Sequence, residues 1–519
     1  MTDTPEYHQY DEFKGRTAKL ATIRESGVDP YPHKYTPSDK IDALIEKYKE
    51  DPLATSEEAA AGKTPKVSIA GRLVLFRPMG KNAFAQIQDG SSRMQVMFNK
   101  ELTQVDGLES DHLKFIEKRI DLGDFIGCEG HLFRTHKGEL TLFVHKLVLL
   151  CKTLLPLPDK HSGLNDKGVR YRKRWLDLIV NPTSKDLLLK RSWIIQAVRR
   201  YFEKLGFLEV ETPVLQNIYG GAAARPFTTK LHALNQEMFL RISLEIPLKK
   251  LLVGGLDKVF EIGKVFRNEG IDRTHNPEFT ELEAYAAYWD YNDMMVLVEQ
   301  LFEQVALELF HTTRIPHYNT ETGEELIIEL KAPWQRLTMK ESIERYAGIT
   351  VDTLSDKEIK ELLAPVVKQE ELSSASRGKL ISFLFEEYVE SKLIQPHHIT
   401  DHPIETTPLC KLHRDPVARA AGLVERFETF IGGEEFCNSY SELNDPELQR
   451  KLLEMQSADK LAGNEEAHPL DEEFLEAICQ GMPPAGGLGI GLDRLVMLFT
   501  GAASIRDILY FPIMRPEEN

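Results

Sequence analysis

Between residues 67 and 150 apolar side chains recur at every second position, and no other feature constrains the fold of this chain as tightly. Val67, Ile69, Leu73 and Leu75 mark a first strand and residues 83–89 a second. Asp89-Gly90 then turns the chain into a third strand carrying Met94, Val96 and Phe98. A helical pattern at 113–119 comes next, followed by a strand at 124–135, the turn His136-Lys137-Gly138 and a strand at 139–150. Five strands with a helix between the third and fourth is the order of an OB-fold barrel. Such barrels bind single-stranded nucleic acid by stacking bases on aromatic rings while basic groups hold the backbone. Phe84 and Gln86 share one face of the second strand, Gln95 lies on the third, and Arg72 and Arg77 end the first. The residues alone equally allow Phe84 as core and Gln95 as plain surface.

The barrel occupies a small part of 519 residues, so further domains must follow. A net charge of -17 excludes a generally basic nucleic-acid binder and confines any RNA contact to a local patch. Cys128, Cys151, Cys410, Cys437 and Cys479 are scattered and form no C-x-x-C pair, which speaks against a disulfide framework or zinc site. The polar start and the lack of a long apolar run predict a cytoplasmic protein. The first fifty residues read as a helical lead-in, with Tyr10, Phe13, Ala18, Leu20 and Ile23 facing inward, and residues 59–62 read as a loop. Leu155-Pro156-Leu157-Pro158 cannot continue a strand and sets a boundary. The expected division is 1–66 for the lead-in, 67–155 for the barrel and 156–519 for a second domain. Within the latter, residues 316–396 carry mixed helical patterns and read as a surface insertion.

The second domain holds four chemically suggestive stretches. Residues 192–205 form an amphipathic helix, with Trp193, Ala197 and Tyr201 beside Ile194, Val198 and Phe202, running into Phe207-Leu208-Glu209-Val210-Glu211-Thr212-Pro213. Farther on, strands at 258–267 and 279–288 enclose a polar loop broken by Gly270 and Pro277. Alternation puts Phe279, Glu281, Glu283 and Tyr285 on one face, opposite Arg267 and Glu269. An aromatic ring, two carboxylates and a phenol make a poor core and a plausible site. In the third stretch Gly432-Gly433 forms a two-residue hairpin turn, so Glu428 lies diagonally across from Glu435, about 7–8 Å away. That spacing lets the pair share Mg²⁺ with phosphate oxygens. Simple alternation then puts Asn438, Tyr440 and Glu442 on the opposite face from Glu435, unless a bulge intervenes. The fourth stretch, Gly486-Gly487-Leu488-Gly489-Ile490-Gly491-Leu492-Asp493-Arg494, joins a glycine-rich strand to a helix start suited to anions.

Phe266-Arg267-Asn268-Glu269 followed by His275-Asn276-Pro277-Glu278-Phe279 resembles motif 2 of the class II aminoacyl-tRNA synthetases, in the form of their lysine-specific members. The helix-to-Pro213 stretch resembles motif 1, and Gly489-Ile490-Gly491-Leu492-Asp493-Arg494 resembles motif 3. The resemblance covers nearly everything from Val67 onward. It implies an α+β protein: an OB-fold barrel that reads an anticodon, plus a catalytic domain on an antiparallel sheet flanked by helices. It also implies a homodimer built through motif 1. With ATP as co-substrate, Arg267 would bridge the amino-acid carboxylate and the α-phosphate, and Arg494 would hold the γ-phosphate. His275 would meet the phosphate tail, Phe279 would stack on adenine, and Glu269 and Asn276 would contact the nucleotide. Glu428 and Glu435 would hold Mg²⁺, Glu428 lying also at the ATP site, while Gly221 and Glu245 would meet the amino group of the amino acid. In the barrel Phe84 would stack a base, and Arg77, Gln95 and Glu139 would pair with base edges of tRNA(Lys). Glu245, Glu283 and Glu442, with Tyr285, Asn438 and Tyr440, make an acidic pocket, since unpaired buried carboxylates demand a cation. Lysine fits it, whereas aspartate would be repelled.

Overall fold

The computed structural model describes residues 5–158, 164–318, 323–461 and 468–516, with backbone only for 459–461. The chain divides into two compact units, residues 1–163 and 164–519. Together they make a mixed α+β protein.

In the first unit, Lys66–Met79 pairs antiparallel with both Asn82–Gln88 and Phe125–Arg134. Arg93–Asn99 joins Asn82–Gln88 on one side and closes onto Leu140–Cys151 on the other. Closure removes the sheet edges, and the inward residues Ile69, Ala85, Ile87, Val96, Leu132 and Leu142 fill the barrel. The expected helix is His112–Arg119, and a short strand Gln104–Val105 adds to the sheet. The lead-in differs from its reading. Helix Asp11–Glu25 buries only Leu20 and Ile23; Tyr10 and Ala18 are exposed and Phe13 is half-buried, because only the last turns pack inward. Residues 59–62 are not wholly loop either. Ser56–Ala60 is a helical turn started by a reciprocal capping box between Thr55 and Glu58, and it presses Ala59 onto Met97, Phe133 and Phe143. Lys152 is fully buried between Asp121 and Asp124, at 2.5 and 2.8 Å.

The second unit is built on eight strands in the order Gln335–Thr338, His397–Pro403, Leu423–Ile431, Glu434–Ser441, Ala485–Gly491, Glu278–Ala287, Lys258–Phe266 and Leu208–Glu209. All pairings are antiparallel except those of the two edge strands. Helices Pro182–Lys204 and Tyr291–Phe310 cover one face, where Ile194, Val198 and Phe202 meet Leu282, Ala284, Met294 and Phe302. The first of these begins ten residues before the apolar pattern at 192 would place it, with Pro182 in its first turn. Trp193, expected on the buried side, falls outside the 194–197–198–201–202 stripe and is exposed. Residues 316–396 are not purely an appendage: Gln335–Thr338 pairs parallel with His397–Pro403 as an edge strand of the sheet. Helices between 339 and 388 form a separate core around Met339, Ile343, Leu380 and Leu384, seated on Ile399 and Phe430.

Candidate active site

The face of the sheet turned away from the long helices carries a cavity of about 450 Å³. Strand alternation supplies its floor. Val265 pairs with Phe279, Gly263 with Glu281, Glu261 with Glu283 and Val259 with Tyr285. Since Leu282, Ala284 and Ala286 belong to the core, Phe279, Glu281, Glu283 and Tyr285 point into the cavity.

One end of the cavity is cationic. The Arg267 guanidinium lies over the Phe279 ring, 5.0 Å from its centroid, and its Nε donates to the Ile242 carbonyl. Arg494 Nη1 donates to the Glu435 carbonyl at 2.5 Å, and Nη2 stands 3.4 Å from His275 Nε2. His275 is oriented by Asp272, whose carboxylate takes the ring Nδ1 and the backbone N–H groups of Thr274 and His275, each at 2.7 Å. Burial works against the Asp272 charge, yet these donors hold its carboxyl down at about 2. Asp493 fastens the motif 3 helix to the motif 2 strand: it accepts the Thr280 N–H at 2.8 Å and Arg191 Nη1 at 2.5 Å. Asp493 belongs to the motif 3 run, but its bonds to Thr280 and Arg191, like those of Asp272 to Thr274 and His275, depend on packing that the sequence does not display.

The wall between the ends is the hairpin Leu423–Ile431 with Glu434–Ser441. Gly432 and Gly433 take φ of +62° and +78°, as the two-residue turn requires. Phe430 pairs with Glu435 as expected, but Thr429 pairs with Cys437, so Phe436 is an extra residue in a bulge. That bulge shifts the phase by one and brings Asn438 and Tyr440 to the same cavity as Glu428 and Glu435. Arg426, unnoticed in the sequence, donates to Glu428 Oε1 at 2.5 Å and to Asn438 Oδ1 at 3.0 Å. Burial raises the Glu435 carboxyl, and the neighbouring Glu428 adds to the rise. Two repelling carboxylates beside cationic side chains fit a hard divalent cation that completes its shell on phosphate oxygens. Among the described residues no group of three or more His, Cys, Asp or Glu side chains is placed to hold a metal by itself.

The other end is acidic and buried. Gly221 has φ +86°, and a Cβ there would lie 2.0 Å from Ser243 Oγ, so only glycine fits against Glu245. Glu283 accepts the Leu244 N–H at 2.7 Å and the Tyr285 hydroxyl at 2.8 Å. Burial, then Glu281 and Glu245, push the Glu283 carboxyl well up. Tyr440 donates its hydroxyl to Glu245 at 2.7 Å. Glu281, four ångströms from Arg267, is pushed up to about 7 by burial. Among the expected residues, Gly221, Glu245, Arg267, Glu269, His275, Asn276, Phe279, Glu283, Tyr285, Glu428, Glu435, Asn438, Tyr440 and Arg494 all line the cavity. Glu442 does not. It lies behind Gly487, where a Cβ would stand 1.8 Å from its Oε1, and it pairs with the buried Lys249.

In the barrel, Arg77 pairs with Phe84, Gln86 with Gln95, and Gln95 with Thr141 across adjoining strands. Phe84 is half-buried against the Met97–Phe143 cluster, Gln95 donates to Thr141 Oγ1 at 2.9 Å, and Arg77 and Glu139 are exposed. Arg77, Phe84 and Gln95 therefore share the outward face, and Glu139 lies exposed just before strand Leu140–Cys151. Arg72 turns instead to Gly123 and Phe125.

A cavity with arginines at one end and carboxylates at the other, on an antiparallel sheet, is the layout of a class II synthetase. Residues 166–515 match the family described as tRNA synthetases class II (D, K and N), and residues 67–150 match the OB-fold nucleic acid binding domain. The chain belongs to the class II aminoacyl-tRNA synthetase family. It is similar to the lysine–tRNA ligase of Chlamydia pneumoniae, 56% identical over 99% of this chain and 98% of the relative. It is also similar to the lysine–tRNA ligases of Gloeobacter violaceus, at 46% over 97% and 98%, and Moorella thermoacetica, at 45% over 97% of each.

Proposed function

We propose that this chain is a lysine–tRNA ligase. It activates L-lysine with ATP and passes it to the 3′ end of tRNA(Lys). The observation that carries the reading is the polarity of the cavity, arginines facing one end and buried carboxylates the other.

A lysine carboxylate oxygen attacks the α-phosphorus of ATP while the bond to pyrophosphate breaks, giving lysyl-adenylate. The terminal hydroxyl of tRNA then attacks the carbonyl carbon, and AMP leaves. No protein base is needed for the first step, so catalysis rests on positioning and charge. Arg267 neutralises both reacting anions, Phe279 stacks on adenine, Glu269 and Asn276 hold the nucleotide, and His275 and Arg494 hold the phosphate tail. Glu428 and Glu435 would hold Mg²⁺, which supplies charge neutralisation along the phosphates when bound. Glu245 and Gly221 receive the α-ammonium, while Glu283, Tyr285, Asn438 and Tyr440 surround the side chain. Glu442 reinforces that end from behind.

Arg77, Phe84, Gln95 and Glu139 would read the anticodon, supported by the common outward face of the first three. A homodimer is supported by Leu189 and Trp193, four residues apart and exposed on helix Pro182–Lys204, with Leu208 and Leu215 exposed nearby in sequence. A cytoplasmic setting is supported by five free cysteines. The test is ATP–pyrophosphate exchange without tRNA, each of the twenty amino acids in turn. Exchange with lysine alone is expected; exchange with aspartate or asparagine would overturn the pocket reading.

A further inference from the structure

Lysine is expected as the guest of this site, yet a resident lysine already occupies its rear wall. Lys249, on helix Glu245–Val253, is wholly buried. Its Nζ lies 2.5 Å from Glu245 Oε1 and in closer ion-pair contact with Glu442 Oε2. The ring centroids of Tyr440 and Phe474 stand 5.4 and 5.9 Å away. Glu245 lines the cavity; Lys249 and Glu442 do not. We infer that Lys249 is a specificity-positioning residue: its ammonium, shared by Glu245 and Glu442, lets both carboxylates stay ionised, so that Glu245 meets the incoming amino acid as an anion. This rests on the lysine reading of the pocket.

The physical ground is like-charge repulsion. Without a cation, two buried carboxylates in contact with one site cannot both stay ionised, and one takes a proton. The groups facing the pair are known from every side. Tyr440 donates to Glu245, Cys410 bridges to Glu442 through the backbone, and Glu283, Tyr285 and Glu281 face Glu245 across the cavity. None of these is a cation. Lys249 is the only cation in ion-pair contact with either carboxylate among the described residues.

The test uses the full-length protein and lysine-dependent ATP–pyrophosphate exchange from about pH 6 to 9. The unsubstituted chain is measured first, and its failure to activate lysine would overturn the pocket reading itself. Lys249→Met should raise the KM for lysine at least about tenfold at neutral pH. That KM should fall again as pH rises and the protonated carboxyl ionises, with kcat and the KM for ATP within about threefold. Lys249→Arg should restore a pH-independent KM. A merely structural role predicts parallel losses in kcat, in both KM values and in melting temperature, with no new pH dependence; that result would overturn the inference. A second test stands even if Lys249→Met fails to fold. Lys249→Met combined with Glu442→Gln removes the cation together with the repelling carboxylate, so Glu245 ionises unaided and the KM for lysine should be independent of pH and within about threefold of that of Glu442→Gln. A double variant whose KM is raised at neutral pH and falls as pH rises would overturn the inference.

Discussion

Among the described residues each unit of this protein buries one lysine between two carboxylates, and the two clusters do opposite work. In the barrel, Lys152 sits between Asp121 and Asp124, and every charge is answered. Lys19 adds a second cation at 2.5 Å from Asp121, while Asp124 accepts from the Thr153 N–H and hydroxyl and from the Asp121 N–H. Two cations meet two anions there. In the larger unit Lys249 faces Glu245 and Glu442, with Glu283 nearby, so carboxylates outnumber cations and one of them looks into open space. A balanced cluster locks a fold, and an unbalanced one asks for a ligand. The lesson is that counting charge around a buried ion separates support from site better than burial does.

The largest effect should come from breaking the balanced cluster. Lys152→Met leaves two buried carboxylates without their central cation and should cost about 3–5 kcal/mol in denaturant unfolding. The Asp121 carboxyl, opposed by burial but held by Lys152 and Lys19, lies below its ordinary value of 3.8. Its contribution is therefore present above about pH 4 and lost as pH falls through the lowered folded value. Next, Arg267→Ala should slow lysine-dependent pyrophosphate exchange about 10²–10³-fold with an unchanged melting temperature. Unaltered turnover would remove Arg267 from the chemistry. Phe84→Ala should reduce kcat/KM for tRNA about tenfold while leaving tRNA-free exchange intact. Equal loss of both would mean the outward barrel face does not act as a separate reader. The smallest change is at Asp272→Asn, which loosens the anchor of His275; a rise of a few-fold in the KM for ATP is expected.

Most of the barrel was legible because period-two alternation has one reading once a face is buried. What the sequence hid there was helix Ser56–Ala60, too short to show a period, although Thr55 and Glu58 carry its capping signal. In the larger unit, Phe279, Glu281, Glu283 and Tyr285 followed directly from alternation, and Arg267 and Arg494 from motif resemblance. Lys249 was invisible because a lysine on a helix reads as solvent-exposed unless its partners, 4 and 193 residues away, are known. Glu442 was read as lining the pocket, but it lies behind Gly487, a place that depends on packing no periodicity encodes. Trp193 shows the converse. An apolar residue beside a buried stripe is counted inward by pattern, and only the packed helix shows it facing out.

Phe436 adds a single residue to its strand, and that residue works like a comma in a sentence. Upstream of it the strand carries Glu435, which the proposed function gives to metal and phosphate; downstream it carries Asn438 and Tyr440, which the same proposal gives to the amino acid. Deleting one codon there would leave composition and length almost untouched while turning every later side chain to the wrong side of the sheet. The two chemistries of the site are thus joined by a spacing rule, and a change in length at this point is far graver than a change in letter.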